Sequence, residues 1–170
     1  MRILGIDPGY AIVGYGVIDY VGVKVSLVDY GAITTAADMP FERRLAAIYD
    51  DMRVLLNTYK PQEMGIEKLF FNTNQKTGID VAQARGVTLL AATNMGIPIY
   101  EYTPLQVKQS VVGYGRAEKH QVMEMVKRLC SLKAAPKPDD AADAVALALC
   151  HARSSSSLLY KGENEKCSTI

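Results

Sequence analysis

The spacing of apolar residues changes once along this chain, and that change constrains the fold more than any other feature. Apolar residues alternate or run continuously in three short segments, at residues 3–7, 13–20 and 23–33, which is typical of β-strands. Between Leu45 and Tyr59 they recur every three or four residues instead, which is the period of an amphipathic helix. The sequence therefore predicts three antiparallel strands followed by a helix.

Shorter segments of both kinds complete the predicted order. Strands are predicted at 64–67 and 97–102, and helices at 79–95, 104–112, 118–132 and 139–152. Residues 68–77 show no period and are predicted to form a loop. This order predicts an α/β fold with a central five-stranded mixed sheet and helices on both faces. Residues 1–153 are predicted as one domain, and the serine-rich residues 154–170 as a disordered tail.

Composition agrees with a globular domain that can bury a full core. Of the 170 residues, 49% are apolar and 22% are charged. Three cysteines without disulfide or zinc spacing indicate a reducing compartment, and hence the cytoplasm. No apolar run is long enough to predict a membrane span, and the first residues lack the pattern of a signal peptide.

The net charge of +1 conceals an uneven distribution. The net charge is −3 over residues 1–67, +6 over 68–137 and −2 over 138–170. A basic middle beside acidic flanks is compatible with a phosphate-binding face next to an acidic centre. Charge alone favours the simpler interpretation, which is a solvated lysine surface.

Two acidic residues stand directly after predicted strands. Asp7 follows the apolar run 3–6, and Glu67 follows 64–66. Open α/β sheets place ligands at the carboxyl ends of their strands, so both residues are candidates for a functional site. Each also has an ordinary explanation, because Asp7 could stabilise a turn and Glu67 could be a solvated strand end.

Three further acids open the last predicted helix. Asp139 is fully explained as a first-turn acid that interacts favourably with the helix dipole. Asp143 precedes the apolar run 144–149 and needs a cation, because an uncompensated acid there would be costly. Asp140 lies three residues before Asp143 and so shares its face, but spacing does not decide between Asp139 and Asp140.

Two strand-end acids and two helix acids form a ligand set that contains only oxygen atoms. Such sets suit Mg²⁺ or Mn²⁺, and four carboxylates roughly match the charge of two divalent ions. Two ions about 4 Å apart stabilise both the attacking and the leaving oxygen in phosphodiester cleavage. The acids therefore predict a nuclease in which an activated water is the nucleophile.

Several short motifs recur in a specific order. They are LGIDPG at 4–9, IE at 66–67, QARG at 83–86, QVKQSVVG at 106–113, AEK at 117–119 and DAADA at 140–144. In order and spacing they resemble RuvC-type Holliday-junction resolvases of the RNase H-like superfamily, over residues 1–153. The resemblance implies an RNase H-like fold and a structure-specific endonuclease. Such an enzyme resolves four-way junction DNA in recombination and repair, by symmetric, metal-dependent nicking of two strands.

The resemblance also implies the catalytic and metal-binding residues. They are Asp7, Glu67, Asp140 and Asp143, with two Mg²⁺ per subunit and Mn²⁺ as a substitute. Asp140 is thereby preferred over Asp139.

The DNA-contacting residues implied by the resemblance are Phe70, Arg85, Lys108 and Lys119. Phe70 would contact bases near the crossover, with Phe71 as the adjacent alternative. Arg85 could reach a phosphate or could brace the segment 68–77. Lys108 and Lys119 would lie beside the scissile phosphate or along the DNA backbone, although without the resemblance both would be ordinary surface lysines.

The implied assembly is a homodimer that works with the branch-migration proteins RuvA and RuvB. The alanine-rich helix at 79–95 is the candidate dimer interface, because small residues permit close approach. Three other functions compete with that of a junction resolvase. An actin-like ATPase needs a second domain, and a non-catalytic junction-binding module would be expected to lack an acid. The acids do not exclude an RNase H-like nuclease with a different substrate.

Overall fold

The computed structural model describes residues 1–69 and 75–155, and the side chains of all of these except 75 and 76. In chain order the elements are β1 (Arg2–Asp7), β2 (Ile12–Val21), β3 (Lys24–Thr34), α1 (Phe41–Tyr59), β4 (Glu63–Glu67), α2 (Gln75–Asn94), β5 (Ile99–Tyr102), α3 (Pro104–Val112), α4 (Lys119–Leu129) and α5 (Asp139–Ser155).

The five strands form one mixed sheet in the order β3-β2-β1-β4-β5. β1 to β3 pair antiparallel as a meander, whereas β4 runs parallel to both β1 and β5. The predicted five-stranded mixed sheet is confirmed. Because β1 and β4 are parallel neighbours, their carboxyl ends lie together at one edge of the sheet.

The side chains of each strand alternate between two cores, one on each face of the sheet. The first core joins the sheet to α1 and α2, and includes Leu4, Ile6, Ile48, Met52, Met64, Ile66 and Ala91. The second joins it to α3, α4 and α5, and includes Ile3, Ile18, Val107, Val122, Val145 and Leu149. Helices therefore cover both faces, as the sequence predicts. By the same alternation, Asp7 and Glu67 point to the α5 face.

Thr103 caps the start of α3. Its hydroxyl accepts a hydrogen bond from the backbone N–H of Gln106, and Pro104 occupies the first helical position. This cap fixes the direction in which α3 leaves β5, and so determines where Lys108 projects.

The helix boundaries differ from the sequence prediction in three places. α2 begins at Gln75, so the predicted loop at 68–77 is too long at its end. Residues 75–78 are polar or glycine, which is why apolar periodicity gave no signal there. α4 ends at Leu129 instead of 132, and α5 continues to Ser155, three residues past the predicted helix end at 152. Phe70, Phe71 and residues 156–170 lie outside the described residues.

Within the described ranges, no helix combines the length and apolar character needed to cross a bilayer.

Candidate active site

Asp7 and Glu67 are adjacent at the shared edge of β1 and β4. The strands pair up to Ile6 and Ile66, so the next residue on each strand carries its carboxyl group to the same place. The two carboxyl groups are within hydrogen-bonding reach of each other. Two acids from segments 60 residues apart therefore meet because a parallel strand pair ends at both of them.

Helix α5 adds Asp140 and Asp143 because it lies unusually close to the sheet. A Cβ atom on Gly14 would collide with the carbonyl oxygen of Asp140, and one on Gly5 would collide with that of Ala144. The side chains of α5 that face the sheet are small. They include Ala141, Ala144 and Ala148, which are fully buried. Glycine on the strands and alanine on the helix thus bring the α5 acids within electrostatic range of Asp7.

The carboxyl groups destabilise one another as anions. Burial, followed by the charges of Glu67, Asp143 and Asp140, raises the pKa of Asp7 to about 8. Burial also raises the pKa of Glu67 and that of Asp143. A buried group of like charges of this kind needs cations to remain ionised at neutral pH.

Lys119, at the start of α4, supplies one such cation. Its Nζ atom lies 3.1 Å from Oδ2 of Asp143 and 3.5 Å from Oδ2 of Asp139. Burial lowers the pKa of Lys119, but the hydrogen bond and charge of Asp143 outweigh it and raise that pKa above its usual value. Asp139 therefore faces Lys119, a role that its position in the first helical turn does not reveal.

A cleft of about 230 Å³ is lined by acids of the site and by the two lysines that the resemblance implies as DNA contacts. Glu67, Asp143, Lys108 and Lys119 all line this cleft, and Lys119 is paired with Asp143. The remaining lining residues are Pro104, Val107, Val122 and Leu147. The structure thus places a lysine from α3 and one from α4 next to acids from β4 and α5. The two lysines can present positive charge to a phosphate in the cleft.

Arg85 is held by groups of the protein. Its Nε atom donates to the backbone carbonyl of Glu67 (3.2 Å), and its Nη2 atom forms an ion pair with Glu101. Its side chain is only 14% exposed. Of the two roles open at the sequence level, the observed contacts correspond to bracing the point where the chain leaves β4. The sequence does not predict Glu101 as the partner of Arg85, because the two residues come close only when β5 lies beside β4.

The acid set fits a hard divalent cation in its chemistry. Its ligands are all oxygen atoms, three of the carboxyl groups have raised pKa values, and no sulfur or imidazole group is needed. Among residues 1–69 and 75–155, however, no three His, Cys, Asp or Glu side chains are arranged to hold an ion. Coordination by three of these acids therefore requires their side chains to move from the arrangement described here.

The sheet order and the acids at the ends of β1 and β4 and on α5 define the RNase H-like class of nuclease folds. A family model described as "Crossover junction endodeoxyribonuclease RuvC" matches residues 3–151. The chain belongs to this family.

Individual relatives agree with the family assignment. The crossover junction endodeoxyribonuclease RuvC of Clostridioides difficile is 60% identical over 154 residues, which cover 91% of both chains. The structure of Thermus thermophilus RuvC has a TM-score of 0.84 at 35% identity, covering 91% of this chain and 95% of that one. The same TM-score and coverage, at 33% identity, are found for T. thermophilus RuvC in complex with Holliday junction substrate.

Proposed function

We propose that this protein is a crossover junction endodeoxyribonuclease that nicks two strands of four-way junction DNA during recombination and repair. The observation that carries this proposal is the convergence of Asp7, Glu67, Asp140 and Asp143 at one edge of the sheet, beside a cleft lined by Lys108 and Lys119. Family membership and a relative solved with Holliday junction substrate support the substrate class.

In the proposed mechanism, the four acids are the catalytic and metal-binding residues. Bound Mg²⁺, two ions per subunit with Mn²⁺ as a substitute, would supply Lewis acidity and an activated water for phosphodiester hydrolysis. Asp7 interacts with Glu67 and with both helix acids, so it would act together with all three in holding the ions. Lys108 and Lys119 would bind the phosphate and offset charge that develops on its oxygens. Phe70 and Arg85 remain proposed DNA contacts.

The proposed assembly is a homodimer with two identical sites. α2 supports this, because Ile79 and Leu90 are apolar yet more than half exposed, and Met95 just beyond the helix is 38% exposed. Symmetric placement of two sites would allow the two strands of a junction to be cut in related positions. RuvA and RuvB are the proposed partners, and the cytoplasm is the proposed location.

Junction cleavage tests the proposal directly. With Mg²⁺ or Mn²⁺, the purified protein is expected to nick a mobile four-way junction symmetrically, and a linear duplex and an RNA–DNA hybrid much less. Asp7→Asn should lower the cleavage rate by about a hundredfold or more, since it removes a proposed metal ligand, while junction binding is retained. Asp19→Asn, at the opposite end of the sheet, is the control and should cut normally.

Two outcomes would contradict this assignment in different ways. Normal cleavage by Asp7→Asn would refute the metal site. Equal cleavage of junction, duplex and hybrid would refute the substrate.

A further inference from the structure

Helix α5 runs antiparallel to strand β4, and every fourth residue of the helix contacts every second residue of the strand. Asp143 faces Glu67 at one end of the contact, and His151 is bonded to Glu63 at the other. Between these pairs, a Cβ on Gly65 would lie 3.3 Å from both the carbonyl oxygen of Leu147 and Cβ of His151. Four helical residues advance about 6 Å and two strand residues about 6.6 Å, so the pairs stay in register.

His151 is fully buried, and both of its ring nitrogens are hydrogen-bonded. Nε2 lies 2.6 Å from Oε2 of Glu63, and Nδ1 lies 2.6 Å from the hydroxyl oxygen of Tyr102. Its ring also stacks on Tyr100, with centroids 4.5 Å apart. Because a carboxylate can only accept, the proton belongs on Nε2, and Nδ1 accepts from Tyr102. Burial lowers the pKa of His151, although the hydrogen bond to Glu63 opposes this, so the neutral ring is favoured.

These hydrogen bonds join three elements around the acid cluster. Glu63 is on β4, His151 on α5, and Tyr102 on β5, where it is the register partner of Glu67. Beneath α5 the sheet presents glycines, including Gly5, Gly14 and Gly65, where the helix lies against the strand backbone, and apolar side chains such as Ile3 and Ile18 elsewhere. Apolar contacts are not directional, whereas a buried polar pair has one favourable alignment and is a known means of specifying register.

We propose that the hydrogen-bonded chain Glu63–His151–Tyr102 is a positioning device that sets the register of α5 on the sheet, so that Asp140 and Asp143 meet Asp7 and Glu67. None of the three is among the residues that line the cleft beside the acids. The catalytic consequence rests on the proposed nuclease function, whereas the structural consequence does not. His151 lies eight residues after Asp143, about 12 Å along the helix, so the device acts through the rigid helix.

Glu63 is the residue to change, because its side chain is 24% exposed and its loss leaves the apolar core intact. Glu63→Gln keeps an oxygen that can accept from Nε2, whereas Glu63→Ala removes the acceptor. Asp19→Ala is the matched control, since it breaks the Arg2–Asp19 ion pair (2.9 Å) away from the site. All variants are compared at a temperature where unfolding measurements show them fully folded.

Single-turnover cleavage and junction affinity give the first readout. Glu63→Ala is expected to cut about tenfold more slowly at saturating enzyme with unchanged dissociation constant, because small misplacement of catalytic groups costs rate and not binding. Glu63→Gln and Asp19→Ala should cut at about the wild-type rate. Wild-type cleavage by Glu63→Ala, or equal loss in both Glu63 variants, would overturn the proposal.

The second readout needs no cleavage. Imidazole ¹⁵N shifts should show the Nε2-protonated tautomer of His151 in the wild type. Amide exchange at Asp143 and Ala144 should be faster in Glu63→Ala than in Asp19→Ala. An Nδ1-protonated ring, or unchanged exchange, would overturn the positioning role. If the wild type cuts no junction, the proposed function fails, but these measurements still decide whether the device exists.

Discussion

At the scale of single residues, Asp7 experiences the strongest electrostatic repulsion in the site. It lies among Glu67, Asp140 and Asp143 and is largely buried. Its raised pKa means that the folded protein keeps a proton that the unfolded chain releases. Asp7, the proposed metal ligand, is therefore expected to lower the stability of the protein at neutral pH when divalent ions are removed.

The first prediction concerns stability against pH in a chelator. The pKa of Asp7 is about 8 in the fold and 3.8 as an ordinary aspartate, so its contribution to stability falls as the pH rises through that interval. Asp7→Asn should therefore be more stable than the wild type at pH 8, by about 1–3 kcal/mol, with the difference vanishing near pH 4. Urea unfolding between pH 4 and 8 measures this.

Asp19→Asn provides a control of opposite sign. The hydrogen bond from Arg2 lowers the pKa of Asp19, so this residue adds stability above its unfolded pKa and loses that contribution as the pH falls. If Asp7→Asn instead lost stability relative to the wild type at high pH, the repulsion described for Asp7 would be wrong.

The second prediction separates the two cleft lysines. Lys108→Ala and Lys119→Ala should each weaken junction binding and reduce the slope of log K against log salt by about 0.9 if each meets one phosphate. Lys119→Ala should also reduce the cleavage rate more strongly, because Lys119 contacts Asp143 directly. Lys24→Ala, at the opposite end of the sheet, should change neither quantity. Unchanged slopes in both cleft variants would contradict a phosphate role.

At the scale of elements, the distance between α5 and the sheet decides whether the acids meet. Gly14 lies directly beneath Asp140, where any side chain would strike the helix backbone. Gly86 in α2 is a useful contrast, because a Cβ there meets nothing within 4 Å. A glycine-to-alanine substitution can thus be tested at one position with no room for a methyl group and at another with open space around it.

The third prediction uses that contrast. Gly14→Ala should destabilise the protein by about 1–3 kcal/mol through overpacking. It should also reduce cleavage about tenfold or more, because it displaces Asp140. Gly86→Ala should stabilise the fold of the subunit by about 1 kcal/mol, since alanine is the better helix former, and it serves as a control for folding only, because α2 is the proposed dimer interface. Thermal unfolding and junction cleavage measure both effects. Normal cleavage by Gly14→Ala would show that α5 can move without harm.

Local sequence patterns predicted the elements better than the contacts between them. Asp7 and Glu67 were predictable as neighbours, because short apolar runs marked both strand ends. The pairs Arg85–Glu101 and His151–Glu63 were not predictable, since each depends on which strand lies beside β4 or beneath α5. The start of α2 was missed because residues 75–78 show no apolar period. Sequence period reports burial along one element and carries no information on the register between two.

At the scale of the whole molecule, the near-zero net charge results from a separation of charge between segments. The basic segment 68–137 contributes Lys108 and Lys119, and the acidic flanks contribute the four catalytic candidates. Both sets line or adjoin one cleft. Divalent ions bound to the acids would leave that surface strongly positive, which suits a DNA backbone although the formal sum does not.

The fourth prediction concerns the proposed dimer. If each subunit cuts one strand, mixed dimers of one wild-type and one Asp7→Asn subunit should nick a single strand and accumulate nicked junctions. Gel analysis with both strands labelled distinguishes nicked from resolved products, and dimers with two wild-type subunits are the control. Resolution of both strands by mixed dimers would show that one site serves both positions.

The four acids are spread over the described sequence, and Asp143 stands 136 positions after Asp7. A growing chain therefore carries Asp7 from the start but gains its partners on α5 only when synthesis has passed residue 143. Until then, β1 and β4 can pair, but the helix that completes the acid cluster does not exist. Unfinished chains released early would consequently lack half of the proposed metal ligands. A chain truncated before residue 140 is therefore expected to lack the proposed nuclease activity.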